Sequence, residues 1–305
     1  MIMIIFIMLM LMSVAFFTLL ERKVLSYIQY RKGPNKLGFI GIFQPFSDGM
    51  KLFSKEMMLP FTSNLMIYFF MPLMSLFLSL LIWTLMPYFF TYIFFNIGFI
   101  MFFCMSTMSV YTIILSSWSS NSNYSMMGSL RSIAQMISYE ISLSLIMLSF
   151  FLMINSLSLY EFCVVQYHWF LLFMWPISLM WIISCFAETN RTPFDFSEGE
   201  SELVSGFNIE FSSVLFAYIF LAEYCSIIFM SMLTVLIMLK GNFFNLLFYF
   251  KVSLICFFFI WIRGSLPRFR YDKLMYLNWK VFLPMSIFFL FFYSMISLIL
   301  KLFMN

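Results

Sequence analysis

The sequence predicts an all-α polytopic membrane protein with about eight transmembrane helices and an interfacial amphipathic helix in the first loop. Of its 305 residues, 63% are hydrophobic and only 10% are charged, and the mean hydropathy is +0.98. A soluble domain is typically about half apolar and about a quarter charged. Because the apolar runs occupy most of the chain, residues 1–305 are interpreted as a single transmembrane domain.

Eight apolar runs approach the length needed to cross a hydrocarbon core about 30 Å thick. Their approximate bounds are 1–20, 65–90, 98–118, 139–159, 169–187, 214–239, 245–262 and 282–303. The first run lacks a basic start and a small-residue cleavage site, so we expect a retained helix rather than a signal peptide. Glu21, Arg22 and Lys23 are expected to end this helix at the interface. Pro72 and Pro87 predict a kink or a shortened end in the second run.

Residues 21–64 form a polar loop that is predicted to contain an amphipathic helix of about 15 residues. Pro45 suits its first turn, and Lys51 and Lys55 suit the C-terminal end of the helix dipole. The apolar positions recur at helical spacing: Ile42, Phe43, Phe46, Met50, Phe53 and Met57. Such a helix is expected to lie in the interface plane. It either packs on the membrane surface or forms one lip of an entrance for a lipophilic ligand.

The distribution of Lys and Arg predicts the orientation of the chain. Fourteen of the 17 basic residues fall in the loops of one face, which also holds every long polar loop. Eight helices then place both termini on the opposite face. The basic face is the one that a partner protein would cover. Since the net charge is only +4 and the positive charges cluster in loops, no nucleic-acid partner is expected.

Residues 188–213 form an acidic loop that contains the densest charge in the chain. Seven charged residues fall between positions 187 and 210: Glu188, Arg191, Asp195, Glu198, Glu200, Glu202 and Glu210. Carboxylates this close repel one another and are poorly solvated beside a membrane, which favours proton exchange near neutral pH. A ligand that gains negative charge about 10 Å away would interact with one of them by roughly 1.7 kcal/mol at an effective dielectric near 20. A solvated acidic patch is the alternative, but the flanking Pro193, Phe194 and Phe196 argue against full solvation.

Two glutamates are expected within or beside the membrane. Glu223 lies about ten residues into the sixth run, and an intramembrane carboxylate should face the bundle interior. It is either a proton-relay residue or a protonated side chain bonded to a neighbouring helix. Glu140 is placed one residue into the fourth run, either in the same relay or in an interfacial position. Glu161 is expected in a loop on the far face, where its charge is solvated.

The chain itself carries few groups for redox chemistry. No two of the five cysteines are close in sequence, and His168 is the only histidine, so no metal, iron–sulfur or haem site is expected. No dinucleotide-binding glycine motif or P-loop is present. Any electrons would therefore be carried by another subunit. Arg22, Arg31 and Arg263 lie near helix ends on the basic face, either as topology anchors or as donors to a carbonyl or quinol head group.

Four runs together resemble chain 1 of mitochondrial NADH–ubiquinone oxidoreductase, a family of core membrane subunits of respiratory complex I. They are Glu21-Arg22-Lys23 through Arg31-Lys32-Gly33-Pro34-Asn35, Ser119-Ser120-Asn121-Ser122-Asn123-Tyr124, the acidic run from Glu188 to Glu210, and Trp261-Ile262-Arg263 through Pro267-Arg268-Phe269-Arg270-Tyr271-Asp272. The resemblance covers nearly the whole chain, and the acidic run is long enough to be highly specific.

The resemblance implies a subunit of the proton-translocating NADH:ubiquinone reductase in the mitochondrial inner membrane, with the long loops on the matrix side and both termini on the intermembrane-space side. Ubiquinone would be the bound substrate, without an iron–sulfur cluster, flavin, haem or metal in this chain. Partners would be hydrophilic-arm subunits on the basic face, small membrane-arm core subunits alongside, and membrane lipid. The implied proton-coupling residues are Glu140, Glu188, Arg191, Glu198, Glu200, Glu202, Glu210 and Glu223. The implied ubiquinone-binding residues are Arg22, Arg31, Phe207 and Arg263.

Two other classes of protein remain open from the residues alone. A secondary transporter would also bury carboxylates, but it should show inverted repeats and paired broken helices, and no such repeat is evident. A purely structural membrane anchor would explain the basic face and the hydrophobicity. It would not explain a carboxylate at position 223 in the middle of an apolar run.

Overall fold

The computed structural model describes residues 2–87, 96–166, 168–196, 206–243 and 245–304, and within them it contains helices and no β-strand. The α-helices of these residues are α1 (Ile2–Ile28), α2 (Gln44–Ser54), α3 (Leu65–Ile82), α4 (Gly98–Ser120), α5 (Asn123–Ile154), α6 (Leu159–Val165), α7 (Phe170–Phe173), α8 (Trp175–Glu188), α9 (Ser213–Met238), α10 (Leu246–Ser265), α11 (Tyr271–Tyr276) and α12 (Leu283–Met304). A π-helical segment, Leu277–Phe282, joins α11 to α12.

Seven of the described helices are long and apolar enough to cross a membrane, which confirms the all-α polytopic fold. They are α1, α3, α4, α5, α9, α10 and the continuous helix formed by α11 and α12. The predicted span at 169–187 instead comprises α7 and the 14-residue α8, which are divided at Met174. Pro176 lies in the first turn of α8, where a residue without an N–H group is tolerated.

Helices α5 and α9 form the centre of the bundle. Every side chain of α9 from Ile227 to Met238 is buried, as expected for a helix that is apolar on all sides. It contacts α1, α2, α3 and α10, whereas α5 contacts α4, α8 and α12. The second span ends at the 3₁₀ turn Trp83–Leu85, so its C-terminal end is shortened before Pro87 as predicted.

Helix α5 begins 16 residues earlier than the predicted start at Tyr139. Its first half contains four serines and one glycine and is less apolar than the predicted run that follows. These small side chains allow close approach to α4, where the Ser117 and Ser129 hydroxyls lie 2.7 Å apart and those of Ser120 and Ser125 lie 2.6 Å apart. The expected position of Glu140 near the helix start is therefore wrong, since Glu140 lies near the middle of this 32-residue helix.

Two other helix ends also differ from the prediction. Helix α1 continues to Ile28, so Glu21 does not end it at the interface, and this side chain is only 6% exposed. The last helix begins at Tyr271 rather than near Phe282. Lys273 and Lys280 suggested a loop, but both side chains are exposed on the surface of this helix and leave its inner face intact.

The amphipathic helix of the first loop is confirmed as α2, although with 11 residues it is shorter than predicted. Pro45 occupies its first turn and Lys51 its last turn. It packs against α1 and α9. Arg22 of α1 forms an ion pair with Asp48, and the rings of Phe16 and Phe46 meet edge-on at 6.0 Å.

Candidate functional site

The inner face of α1 carries a buried carboxylate that the sequence interpretation assigned to the interface. Val14, Phe17 and Glu21 follow one another at intervals of three and four residues, so they share one face of the helix. All three side chains are buried. Glu21 therefore points into the bundle, where a carboxylate requires charged or hydrogen-bonding partners.

Those partners come from three other parts of the chain. Arg263, in the last turn of α10, donates a hydrogen bond to Glu21 Oε1, and Arg191 Nη1 lies 3.6 Å from the same oxygen. The Tyr224 hydroxyl of α9 donates to Glu21 Oε2 at 2.5 Å. We call Glu21, Arg191, Tyr224 and Arg263 the Glu21 cluster. It joins α1, α9, α10 and the segment that follows α8.

Arg191 is the most enclosed cation of the Glu21 cluster. Its guanidinium carbon lies 4.4 Å from the centroid of the Tyr224 ring, and its side chain is only 13% exposed. Burial is the largest single influence and lowers the pKa of Arg191, but Glu21, Tyr224 and Glu223 together outweigh it, so the net pKa is raised. The guanidinium therefore stays charged, faces Glu21 and is within electrostatic range of Glu223.

A cavity of about 130 Å³ lies beside the Glu21 cluster, between α3, α4, α9 and the end of α8. Glu188 and Glu223 both line it, and Asn190 lies in its wall. Its hydroxyl groups come from Ser75, Ser79, Ser106, Ser109, Thr112, Ser116, Thr189 and Ser226. This volume exceeds that of several water molecules, but most of the lining area is apolar, so the carboxyl and hydroxyl groups are the places where water could be bound.

Glu140 interacts with Glu188 but is not one of the residues that line the cavity. The carboxyl groups of Glu140 and Glu188 are close enough to interact electrostatically. Among the described residues, Glu140 Oε1 and Glu188 Oε2 are buried without a hydrogen-bond partner. Because a buried carboxylate without a donor is costly, these oxygens favour proton or water exchange rather than a fixed structural contact.

The segment that carries Glu188 and Arg191 is held from both sides. Gln135 of α5 donates from Nε2 to the carbonyl oxygens of Ala187 and Phe194, each at 2.9 Å. Arg268 Nη2 lies 3.9 Å from a carboxylate oxygen of the buried Asp195. The Phe269 amide donates to the Pro193 carbonyl oxygen at 3.0 Å, and the Phe194 and Phe269 rings lie 5.3 Å apart. These contacts fix the segment against α5 and the loop before α11.

The structure thus brings together four of the predicted coupling residues, Glu140, Glu188, Arg191 and Glu223. Arg263, predicted on the quinone side, joins them through Glu21. Glu198, Glu200 and Glu202 lie outside the described residues, and the side chain of Phe207 is likewise not described.

Three further candidates lie in other surroundings. The Glu210 carbonyl oxygen accepts a hydrogen bond from the Tyr68 hydroxyl at 2.6 Å, and the Tyr68 ring stacks on Phe211 at 4.6 Å. Arg22 pairs with Asp48 beside α2, and Arg31 is exposed after the end of α1.

Sequence reasoning missed Glu21 and Tyr224 as site residues. For Glu21 a signal was present, because its spacing from Val14 and Phe17 places it on the apolar inner face of the first helix. Its neighbours Arg22 and Lys23 concealed this signal by suggesting an interfacial end. Tyr224 gave no signal of its own in a run with many aromatic residues, although it directly follows Glu223.

The fold and the site define an all-helical polytopic membrane protein in which the carboxyl groups of Glu188 and Glu223 line a cavity between the helices. A family model described as NADH dehydrogenase matches residues 1–294, and the chain belongs to that family.

Similar proteins named NADH-ubiquinone oxidoreductase chain 1 occur in several animals. The protein of Aedes aegypti is 60% identical over 282 residues, which cover 92% of this chain and 90% of that protein. That of Locusta migratoria is 59% identical over 288 residues, with coverage of 94% and 92%. That of Sapajus apella is 47% identical over 285 residues, with coverage of 91% and 90%.

Proposed function

We propose that this chain is a core membrane subunit of the proton-translocating NADH:ubiquinone oxidoreductase, respiratory complex I, in the mitochondrial inner membrane. It forms much of the path by which ubiquinone reaches its reduction site. It also couples quinone reduction to proton translocation through buried carboxylates. The observation that carries this proposal is that Glu188 and Glu223 line one cavity and that Glu140 is close enough to Glu188 to interact with it electrostatically. The names of the similar proteins support the assignment of the enzyme.

The proposed coupling begins with a charge change at the quinone. A head group that gains negative charge on the basic face draws protons towards nearby carboxylates. Glu188, Glu223 and Glu140 then pass protons through water in the cavity towards neighbouring membrane subunits. Arg191 remains charged, so its positive charge acts on the carboxylates at this point of the path. The carboxylates Glu198, Glu200, Glu202 and Glu210 belong to the quinone-side part of the same path.

The quinone path is proposed to begin between α1 and α2. No side chain of α2 is buried, and apolar residues such as Phe43, Met50 and Phe53 are exposed beside α1. An isoprenoid tail would cover this apolar surface. The proposed contacts near the quinone head group are Arg22, Arg31, Phe207 and Arg263. A guanidinium group can donate a hydrogen bond to a carbonyl oxygen of this head group. The electrons come from a neighbouring hydrophilic-arm subunit, because no redox centre is assigned to this chain in the proposed mechanism.

The sidedness is part of the same proposal. The basic and acidic loops lie on the matrix side, where the hydrophilic-arm subunits cover them, and both termini lie on the intermembrane-space side. This arrangement requires α7 and α8 together to form an eighth crossing beside the seven long helices. Small membrane-arm core subunits lie alongside and receive the protons. The excess of Lys and Arg in the loops of one face supports this orientation.

Charge-neutral substitutions in the assembled enzyme test the coupling. We expect Glu140→Gln and Glu223→Gln to reduce coupled turnover by roughly tenfold or more, because an amide cannot exchange the proton of a relay carboxyl. Assembly, followed on blue-native gels, should change much less. Glu161→Gln, at the start of α6, is the matched control and should leave both properties unchanged. Normal proton pumping in both test variants would refute the proposal.

A purely structural anchor predicts a different result in the same experiment. Its variants would lose assembled enzyme in proportion to activity, without a specific defect in protons moved per electron. A secondary transporter would instead show uptake of a solute by the isolated subunit.

A further inference from the structure

The end of the acidic loop is attached to the start of α3 by one buried tyrosine. The hydroxyl of Tyr68, in the first turn of α3, donates to the Glu210 carbonyl oxygen at 2.6 Å. The Tyr68 ring stacks on Phe211, with 4.6 Å between the centroids and 9° between the ring planes. Tyr68 is fully buried, and with Phe211, Leu215 and Ile219 it forms a small apolar cluster that is separate from the main core.

A second hydrogen bond attaches the same end of the acidic loop to the α2–α3 loop, residues 55–64. The Met58 amide donates to Ser212 Oγ at 2.9 Å. The α2–α3 loop contains no helix, and its far end is fixed where the Asn64 amide donates to the Ser119 carbonyl oxygen at 2.9 Å. Because backbone groups outside helices still need partners, a side-chain acceptor such as Ser212 Oγ determines where this loop lies.

The backbone between these two attachments and α9 adopts an unfavourable conformation. Ser213, the first residue of α9, has a φ of 52°, in the left-handed region that residues with a Cβ atom rarely adopt. Such a conformation persists where the surrounding contacts fix it. We call the hydrogen bonds of Tyr68 with Glu210 and of Met58 with Ser212 the Tyr68 clamp. The clamp holds the acidic loop, the α2–α3 loop and the start of α9 together.

The Tyr68 clamp connects two parts of the proposed quinone path. Met58 lies shortly after the end of α2 at Ser54, and α2 itself packs against α9. The proposed entrance of the path lies beside α2. Ser212 lies shortly after Phe207, a proposed contact of the quinone head group. The clamp therefore joins the entrance side of the path to its head-group side.

We propose that Tyr68 is a positioning residue for quinone binding: it holds the end of the acidic loop against the α2–α3 loop, so that both sides of the path are in place before quinone enters. This inference rests on the proposed function, because it assigns the alignment of the quinone path to Tyr68. Since its side chain is fully buried, Tyr68 acts through the two loops and not by contact with quinone. A site that is aligned in advance binds its ligand more tightly, because no binding free energy is spent on ordering it.

Two substitutions each remove one hydrogen bond of the Tyr68 clamp and little apolar surface. Tyr68→Phe removes the donor to Glu210 and keeps the ring, and Ser212→Ala removes the acceptor of the Met58 amide. In the assembled enzyme we expect each to raise the KM for ubiquinone by roughly threefold to tenfold, the effect of one hydrogen bond on an equilibrium. The kcat should change little, since saturating quinone restores the aligned position. Tyr293→Phe, at a buried tyrosine of α12, is the matched control and should leave the KM unchanged.

A chemical tether tests whether the position of the two loops is the cause. Met58→Cys with Ser212→Cys places two thiols within reach of a short bis-maleimide, because the backbone of one residue contacts the side chain of the other. Once the tether is in place, we expect Tyr68→Phe to have the same KM as the tethered enzyme that retains Tyr68. Met58→Cys alone, treated with the same reagent, controls for modification of other thiols. A difference in KM that persists in the tethered pair, or thiols that the reagent does not join, would overturn the proposal.

Labelling of the unsubstituted enzyme with azido-ubiquinone separates this inference from the proposed function. Label confined to other subunits would overturn the quinone path in this chain and the role of Tyr68 with it. Label on this chain, together with an unchanged KM in Tyr68→Phe and Ser212→Ala, would overturn only the role of Tyr68. Less assembled enzyme on blue-native gels, with an unchanged KM in the enzyme that remains, would also overturn it, because Tyr68 would then serve stability alone.

Discussion

The guanidinium of Arg191 lies over the ring of Tyr224, with its central carbon 4.4 Å from the ring centroid. The two residues belong to different parts of the chain, since Arg191 follows α8 and Tyr224 lies in the middle of α9. The Tyr224 hydroxyl also donates to Glu21 of α1. Tyr224 therefore contacts both a cation and an anion of the Glu21 cluster. It connects α9 with α1 and with the segment that follows α8.

Substitutions of Tyr224 should separate its two contacts. Tyr224→Phe removes the hydrogen bond to Glu21. The charged acceptor keeps Arg263 as a donor, so we expect the free energy of unfolding to fall by about 1.5 kcal/mol. Tyr224→Leu also removes the cation–π contact, at a further cost of about 2 kcal/mol in a desolvated site. The half-life of the assembled enzyme at elevated temperature provides the measurement. Equal half-lives for both variants would show that the ring does not stabilise Arg191.

Gln135 should be required both for stability and for coupling. Gln135→Leu leaves the buried carbonyl oxygens of Ala187 and Phe194 without this donor, at a cost of about 1–3 kcal/mol each. The segment that carries Glu188 and Arg191 would then lose its fixed position, so we expect lower heat resistance and fewer protons moved per electron.

Gln166 offers a matched control for the Gln135 prediction. It is also buried, and its Nε2 donates to the Ile237 carbonyl oxygen at 3.0 Å, far along α9 from Glu223. Gln166→Leu should reduce heat resistance and leave the proton-to-electron ratio unchanged. A similar coupling defect in both variants would mean that the Gln135 effect is a general loss of stability.

The sequence predicted most of the spans because long apolar runs leave few alternatives to membrane helices. It failed where polar side chains serve packing inside the bundle. The predicted span that begins at Tyr139 omits the first half of α5, whose Ser125 and Ser129 face α4 across short hydroxyl contacts. The two basic residues that follow Glu21 predict an interfacial position for it, whereas its partners Arg191 and Arg263 lie far away in sequence.

The carboxylates of the site were named from their positions, but their relationship required the fold. Glu140, Glu188 and Glu223 lie on three helices, and no spacing in the chain indicates that Glu188 interacts with Glu140 and lines a cavity with Glu223. The cavity that Glu188 and Glu223 share depends on the packing of α3, α4 and α9. Such long-range proximity cannot be obtained from the periodicity of a single sequence.

Photolabelling of native membranes should locate the quinone path. An azido-ubiquinone is expected to label peptides from residues 22–57 or 205–211, and an excess of unlabelled ubiquinone should suppress that label. Peptides from the lipid-facing part of α10, around Leu254 and Phe257, serve as a control for labelling from the lipid phase. Label confined to other subunits would leave this chain as an ion path or an anchor, and the proposed roles of Arg22, Arg31, Phe207 and Arg263 would be withdrawn.

The close approach of α1 to α10 depends on Gly264, which directly follows Arg263. A Cβ atom at this position would lie 2.7 Å from Ile28 Cδ1 and 3.3 Å from Leu25 Cδ2. Ile28 Cδ1 is the end of a flexible side chain, so Gly264→Ala should be tolerated after a small rotation. Gly264→Val adds two more methyl groups than Gly264→Ala and should cost about 1–3 kcal/mol through overpacking.

The expected effect of Gly264→Val extends to the Glu21 cluster, because separating α1 from α10 moves Arg263 away from Glu21. We expect less assembled enzyme on blue-native gels and a shorter half-life on heating than for Gly264→Ala. Ile28→Ala should partly restore the valine variant, since it removes the atom that the new side chain meets. Gly49→Val, at a glycine with no atom within 4 Å of an added Cβ, controls for the loss of glycine itself. A valine variant that Ile28→Ala does not improve would show that the contact with Ile28 does not set the distance between the two helices.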